Sequence, residues 1–243
     1  MKVRSSGVFA FFVAVSVLFL SPAVVSATNW EFSLSYEDIF KSSETISVGT
    51  TLKGLGLEDL SCSVKTPKSV KGSSCLFFVS PLAFDLGIGV NGSYSLYNSL
   101  TLDNVSYDLQ SGWGASVGAG PVLRVNLGSR NSLFFFPSAQ FMLRKFDVGR
   151  DSLTNTDRKF EERILGYNVN LGYRLWLIKK SSFLVGLNAG LDFSSGTRSF
   201  CTFRYGDNES GSYKVKDLTA LDFYLGLSFN FGKRGVDSAK ASE

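Results

Sequence analysis

Residues 217–231 read DLTALDFYLGLSFNF, and this stretch decides the fold class. Apolar residues occupy every second position from 221 to 231, with polar or small residues between them. A period of two places the two sets on opposite faces of one β-strand. The apolar face is long and aromatic, which is typical of a strand that faces lipid outward and a narrow lumen inward.

The same alternation recurs in five further segments of the chain. In each of them one face is made of Leu, Val, Phe and Tyr, and the other of Gly, Ser, Asn and a few charged residues. The segments are 82–97, 112–127, 132–145, 164–178 and 182–196. Together with 217–231 they predict six strands, all with an apolar outer face.

The first third of the chain permits two interpretations. Residues 29–37 predict one strand, because Trp30, Phe32, Leu34 and Tyr36 alternate with polar residues. The favoured second strand is 44–54, which leaves a long connection over 57–80. The alternative places the second strand at 75–80, after a long outer loop that carries Cys62. Both interpretations give eight strands and leave both termini on the same side of the membrane.

The predicted connections alternate in length. Short turns are expected near 128–131 and 179–182, and longer polar loops near 98–111, 147–161 and 197–216. Short turns on one rim and long loops on the other are characteristic of transmembrane β-barrels. The predicted fold is therefore all-β, a transmembrane antiparallel up-and-down β-barrel of eight strands.

The N-terminus predicts a secretory signal peptide over residues 1–27. Lys2 and Arg4 precede an apolar run from Val8 to Leu20, and small residues lead to a cleavage site after Ala27. The apolar run is shorter than the ~20 residues that a membrane anchor needs. We expect the barrel to span 28–232 and a polar periplasmic tail to follow over 233–243.

Composition excludes several functional classes. The chain has no His, which removes the usual general base and the commonest metal ligand. The formal charge of +4 falls by two when Lys2 and Arg4 leave with the signal peptide, so nucleic acid is not an expected partner. Neither a metal nor a cofactor is predicted. Cys62 and Cys75 are expected to form a disulfide, as an exported chain permits, and Cys201 has no assigned role.

The C-terminal strand also carries a motif. Tyr224, Gly226, Phe229 and Phe231 resemble the C-terminal sorting signal of outer-membrane β-barrels, in which a Gly precedes two alternating aromatic residues. With the signal peptide and the alternating strands, the chain resembles small eight-stranded barrels of the OmpA-like and OmpW-like kind. The resemblance implies a location in the bacterial outer membrane, contact with outer-membrane lipid, and assembly by the barrel-assembly machinery.

Charged residues on the inward faces are the candidate functional residues. Parity assigns eight of them: Glu31, Lys53, Asp85, Arg124, Arg144, Arg174, Asp192 and Asp222. Asp85 and Arg124 are almost equally far from the middle of the 98–111 loop. Asp192 and Asp222 are placed in the same way about the 197–216 loop. Each pair should therefore be cross-strand neighbours in an antiparallel hairpin. Arg144 and Arg174 are expected to form a basic wall beyond the first pair.

The favoured interpretation of these charges is a salt-bridged polar plug that fills the lumen. Two alternatives stay open: a transverse field that orients ions or small polar solutes, and an acid/base site made by Asp192 and Asp222. An eight-stranded barrel is just wide enough for side chains to fill, which disfavours a general diffusion pore.

We expect a non-enzymatic outer-membrane protein with surface-exposed loops. It would serve as a narrow channel for small solutes or as a structural or host-contact protein, with a small solute or a host ligand as partner at the loops. A membrane-embedded hydrolase or acyltransferase is disfavoured by the missing His. A soluble secreted β-barrel that binds an apolar ligand in its interior is the remaining alternative.

Overall fold

The computed structural model describes residues 28–48, 60–65, 68–78, 84–102, 105–150, 157–180, 183–205 and 209–232. Every regular element in these ranges is a β-strand. No helix in this part of the chain is long and apolar enough to cross a membrane. The predicted signal peptide, the predicted polar tail and Lys53 lie outside the described residues.

Eleven strands make up the described structure. They are β1 (Thr28–Val48), β2 (Leu60–Lys65), β3 (Lys68–Phe78), β4 (Phe84–Leu96), β5 (Ser99–Leu102), β6 (Val105–Asp108), β7 (Ser111–Leu127), β8 (Asn131–Arg150), β9 (Asp157–Lys180), β10 (Phe183–Tyr205) and β11 (Glu209–Phe231).

Eight of these strands close into a ring. The ring order is β1, β3, β4, β7, β8, β9, β10 and β11, and β11 pairs back onto β1, with every pairing antiparallel. This confirms the predicted up-and-down eight-stranded barrel. The short strands β2, β5 and β6 continue the sheet from the far end of β1, where residues 44–46 pair with β2.

The favoured second strand at 44–54 is wrong. Residues 44–48 continue β1, and the second ring strand is β3, which contains most of the alternative segment 75–80 but begins seven residues earlier, at Lys68. The reason is visible in the outward positions of β3. Two of them are Gly72 and Ser74, so apolar alternation marks only the end of this strand.

The predicted turn at 128–131 is confirmed, and Gly128 has a positive φ of 76° there. The predicted long loops at 147–161 and 197–216 are shorter than expected, because β8 runs to Arg150 and β11 begins at Glu209. Outward positions beyond the membrane are polar, as at Lys145 and Asp147. The apolar alternation therefore stops while the backbone ladder continues.

The inward and outward faces follow the predicted parity. Outward apolar residues such as Leu86, Leu177 and Leu225 are exposed, whereas inward Asn, Ser and charged residues are buried. On β8 the apolar outward run extends from Leu133 to Leu143, which spans about 25 Å for a strand tilted by roughly 40°. A soluble barrel with an apolar interior would show the opposite faces, so that alternative is not supported.

The ladder between β7 and β8 has one gap. Pairing stops at Ala119 opposite Ala139 and resumes at Leu123 opposite Phe135, which places Pro121 opposite Pro137. Neither proline has an N–H, so neither can donate to the other's carbonyl. The gap lies at the level of the lipid core, where unpaired backbone groups are costly.

Candidate functional site

Arg124 is the centre of a charge cluster in the periplasmic half of the lumen. It projects inward from β7 and is completely buried. Its Nη2 and Nε donate to Asp85 Oδ2 over 2.8 and 3.1 Å, and its Nη1 donates to Glu31 Oε2 and Asn29 Oδ1 over 2.9 Å each. One guanidinium therefore neutralises a carboxylate on β4 and another on β1.

A second arginine extends this cluster across the lumen. Arg174 on β9 places its Nε 2.5 Å from Glu31 Oε1, and the same nitrogen donates to Ser228 Oγ over 3.3 Å. Glu31 thus bridges two arginines, and a continuous chain of opposite charges runs from Asp85 through Arg124 and Glu31 to Arg174. Charges removed from water require such partners.

Aromatic rings complete this layer. The guanidinium carbon of Arg124 lies 4.1 Å from the centroid of Phe77, and that of Arg174 lies 3.6 Å from the centroid of Phe134. Both contacts are cation–π interactions. Phe77, Phe134, Phe136, Val122 and Cys75 form one buried cluster. We call this charge chain and its aromatic cluster the plug.

A small polar cavity lies on the extracellular side of the plug. Its volume is about 70 Å³. Lys71 on β3 lines it and forms ion pairs with Glu37 (3.4 Å) and with Asp192. Asp192 also accepts a hydrogen bond from Asn168 and faces Asp222 directly across the β10–β11 ladder. The cavity is thus enclosed by groups that already interact with one another.

A third charged layer lies nearer the extracellular mouth. Arg144 on β8 and Glu162 on β9 are cross-strand neighbours, with Nη2 and Oε2 2.6 Å apart, and both are buried. The ring of Phe146 lies beside this pair, 5.7 Å from the Arg144 guanidinium carbon, and packs edge-on against Tyr97. Arg144 and Tyr97 also line the cavity, so this layer forms its extracellular end.

Seven of the eight predicted lumen charges lie in the described residues, and all seven are on the inward face. Asp85 lies opposite Arg124, and Asp192 opposite Asp222, as their spacing predicts. The expected basic wall is wrong, because Arg174 belongs to the plug and Arg144 pairs with Glu162 in a different layer.

In the described part of the chain, three further charged residues of the lumen were missed by the sequence prediction. Glu37 lies within the predicted strand 29–37 and follows its parity but was not assigned. Glu162 follows the parity of β9 and would have been found had that strand been extended beyond its apolar run. Lys71 had no comparable signal, because β3 was not recognised there. All three are partners of predicted charges or of each other.

The predicted disulfide does not form in this structure. Cys75 is a free thiol, buried in the plug. Cys75 pairs with Glu31 of β1, whereas Cys62 pairs with Glu44 of the same strand. Thirteen residues of an extended strand separate these positions, about 40 Å, which is far beyond the reach of a disulfide.

The residues of the predicted sorting motif lie on both faces of β11. Tyr224 points inward, and its hydroxyl donates to Asn170 Oδ1 over 3.0 Å. Phe229 and Phe231 are on the outward face, opposite Phe32 and Trp30 at the closing seam of the barrel. Their role in sorting stays a prediction. Among the described residues no group of His, Cys, Asp or Glu is arranged to hold a metal ion.

No protein-family model and no curated protein sequence matches the chain. Among solved structures, the outer membrane protein OprG from Pseudomonas aeruginosa matches with a TM-score of 0.58 at 9% identity, over 86% of this chain and 98% of that one. This chain has the fold of the bacterial outer-membrane β-barrels.

Two other solved structures are similar at lower scores. The outer membrane protease OmpT from Escherichia coli matches with a TM-score of 0.49 at 8% identity, over 86% of this chain and 97% of that one. A major outer membrane protein from Thermus thermophilus also matches with a TM-score of 0.49, at 12% identity, over 83% and 99%. The outer-membrane barrel fold fits the predicted location in the bacterial outer membrane.

Proposed function

We propose that this chain is a non-enzymatic outer-membrane protein with a closed lumen, which presents its extracellular strands and loops to host or surface ligands. The plug is the observation that carries this proposal. Arg124, Asp85, Glu31, Phe77 and Phe134 are at most 2% exposed. A path for solutes would have to break several buried ion pairs at once, and each is costly to break.

The arrangement of charges also argues against catalysis in the lumen. Asp192, one half of the predicted acid/base pair, is held by Lys71 and Asn168. A general base needs a free acceptor aimed at a substrate proton. The cavity beside it is small, about 70 Å³, and its lining includes charged groups that already pair with one another.

The strands continue well beyond the apolar outward residues on the extracellular side. β8 continues seven residues past Leu143, the last outward apolar residue before Lys145, and β9 begins eight residues before Leu165. The extra strands β2, β5 and β6 extend the sheet at the same end. Loops carried on a rigid scaffold are where binding residues concentrate.

Conductance in planar bilayers tests the closed lumen. We expect no steady ion current from the wild-type protein. The double variant Arg124→Ala with Phe77→Ala removes one guanidinium and the ring beneath it and should conduct. Lys145→Ala, which changes an exposed residue, is the matched control and should stay silent. Steady current through the wild-type protein would overturn the proposal and favour a narrow channel.

Adherence tests the contact role. Bacteria that display the wild-type barrel should bind a host-cell monolayer better than bacteria that display a variant with residues 199–214 replaced by a short turn. These residues belong to the extracellular end of the β10–β11 hairpin and not to the plug. Equal binding by the two strains would assign the protein a purely structural role.

A further inference from the structure

The outward apolar residues that face lipid form a band around the barrel, the apolar belt. Exposed cations lie on the outer surface just beyond the extracellular edge of this belt. On β8, Lys145 follows Leu143 at the next outward position, and on β9 Arg163 precedes Leu165 in the same way. Lys159 on β9 and Arg204 on β10 lie further from the edge of the belt and are cross-strand neighbours. All four side chains are exposed.

Three of these cations line an open concavity. Its volume is about 620 Å³, and its walls include Trp113, Lys145, Asp147, Lys159 and Arg204. The Trp113 ring stacks on Tyr94, and Lys145 Nζ lies 6.0 Å from its centroid. Trp and Tyr rings at this height mark the interface between lipid tails and headgroups. We call the four cations, Trp113 and their two acidic neighbours, Asp147 and Glu161, the rim patch.

The rim patch has an excess of positive charge. Lys145, Lys159, Arg163 and Arg204 contribute four positive charges, and Asp147 and Glu161 contribute two negative ones, which leaves +2. Glu161 is shared, since Lys145 approaches it to 2.9 Å and Arg163 to 2.7 Å. Asp147 is 3.9 Å from Lys159. The rim patch therefore keeps a net positive charge on the outer surface.

We propose that the rim patch binds the phosphate-bearing headgroup of an anionic lipid in the outer leaflet. Its acyl chains would lie against the outward residues below the patch, Leu143, Leu165 and Phe141. Basic residues at the membrane surface attract anionic headgroups, and Lys and Arg both bind phosphate oxygens. The cations lie directly beside the lipid-facing apolar residues. A lipid can contact both at once, whereas a soluble phosphate can contact only the cations, so this arrangement favours a lipid.

Lipid titration followed by native mass spectrometry tests the site. The full-length mature protein in a neutral detergent is titrated with phosphatidylglycerol, with phosphatidylcholine and with inorganic phosphate. We expect tight binding of phosphatidylglycerol alone. The triple variant Lys145→Gln, Lys159→Gln, Arg204→Gln should bind it at least about tenfold more weakly. The control is Lys179→Gln with Lys180→Gln, two exposed cations on the opposite rim, and should bind like the wild type.

A second measurement needs no change in the basic residues. The chain has three Trp, so Trp30→Phe with Trp176→Phe leaves Trp113 as the only Trp fluorophore. Brominated phosphatidylglycerol should quench Trp113 at a lower mole fraction than brominated phosphatidylcholine does. Equal quenching by the two lipids would overturn the proposal. So would equal loss of binding in the control variant, or displacement of phosphatidylglycerol by inorganic phosphate at the same concentration.

Discussion

Arg124 and Asp85 face each other across the β4–β7 ladder, both fully buried, with Nη2 and Oδ2 2.8 Å apart. Neither charge has access to solvent, so each depends on protein partners. Arg124 has a second carboxylate partner in Glu31, whereas Asp85 also accepts a hydrogen bond from the Asn126 amide. The pair is thus one link of a larger cluster, and its two members are not equivalent.

The first prediction is a double-mutant cycle on this pair. Asp85→Ala should destabilise the barrel by about 3–5 kcal/mol, because it leaves Arg124 with one carboxylate. Arg124→Ala should cost more, since it leaves both Asp85 and Glu31 short of a partner. The double variant should recover part of the combined loss. Urea unfolding of the protein in lipid vesicles measures all four species.

Additivity of the two single changes would show that the residues do not interact. An exposed pair provides the matched control, because Lys145→Ala and Glu161→Ala remove partners 2.9 Å apart on the outer surface. Pairs of this kind couple by about 1 kcal/mol or less. A coupling for Asp85 and Arg124 no larger than that of the control would remove the energetic basis of the plug.

The second prediction concerns lipid contact. Leu171 and Leu187 are exposed on the outward face at mid-strand. Arg at either position should destabilise the barrel by about 2–4 kcal/mol, the cost of a cation near the bilayer midplane. Phe200→Arg is the control, because Phe200 is 67% exposed on β10 beyond the apolar run and should tolerate the change. Equal unfolding midpoints for Leu187→Arg and the wild type would show that Leu187 does not face lipid.

The third prediction concerns Cys75. Because this thiol is free and packed among the rings of the plug, a maleimide should not react with it in the folded barrel. After unfolding without a reductant, the peptide that contains Cys75 should be fully labelled. Labelling of that peptide only after reduction would mean that Cys75 is in a disulfide, contrary to this structure.

The fourth prediction concerns pH. Hydrogen bonds from Lys145 and then from Arg163 lower the pKa of Glu161, outside the membrane, below its ordinary value of 4.5. A carboxyl with a lowered folded-state pKa stabilises the protein above its unfolded-state pKa, and the contribution disappears as the pH falls through the folded value. The wild type should therefore unfold at higher urea than Glu161→Gln at pH 7, with the difference vanishing as the pH falls below the lowered pKa. A difference in urea midpoint that grows as the pH falls would show that the hydrogen bonds to ionised Glu161 do not stabilise the folded barrel.

The sequence predicted contacts within hairpins better than contacts across the lumen. Asp85 and Arg124 are equally distant from the centre of one connection, so the antiparallel ladder alone makes them neighbours. Glu31 reaches Arg124 and Arg174 from the other side of the ring. The alternation along each strand places all three side chains inward. Their positions along the barrel axis depend on the stagger between neighbouring strands, and the sequence of a single strand does not encode that stagger.

Apolar alternation also failed to mark the strands where their outward face leaves the lipid and meets water. Lipid selects apolar outward residues only within the belt, so the extracellular ends of β8 to β11 carry no alternation that distinguishes them from loops. Residues 44–48 were recognised as strand by their alternation, but they were assigned to a separate second strand and not to the end of β1. β3 was missed because two of its outward positions are Gly72 and Ser74, residues that fit a loop as well as a strand.

Glu31 has a consequence for how the barrel assembles. It lies on the first strand of the ring, while its two arginine partners lie on β7 and β9, so an unclosed sheet keeps these charges apart. The final closure also brings Asn29 to Asn230, which hydrogen bond over 2.8 Å at the seam between the first and last strands. Neutralisation of the interior and completion of the ring therefore coincide. Intermediates with an open sheet would place unpaired charges in the bilayer, which is costly. We therefore expect the barrel to fold in a single cooperative step.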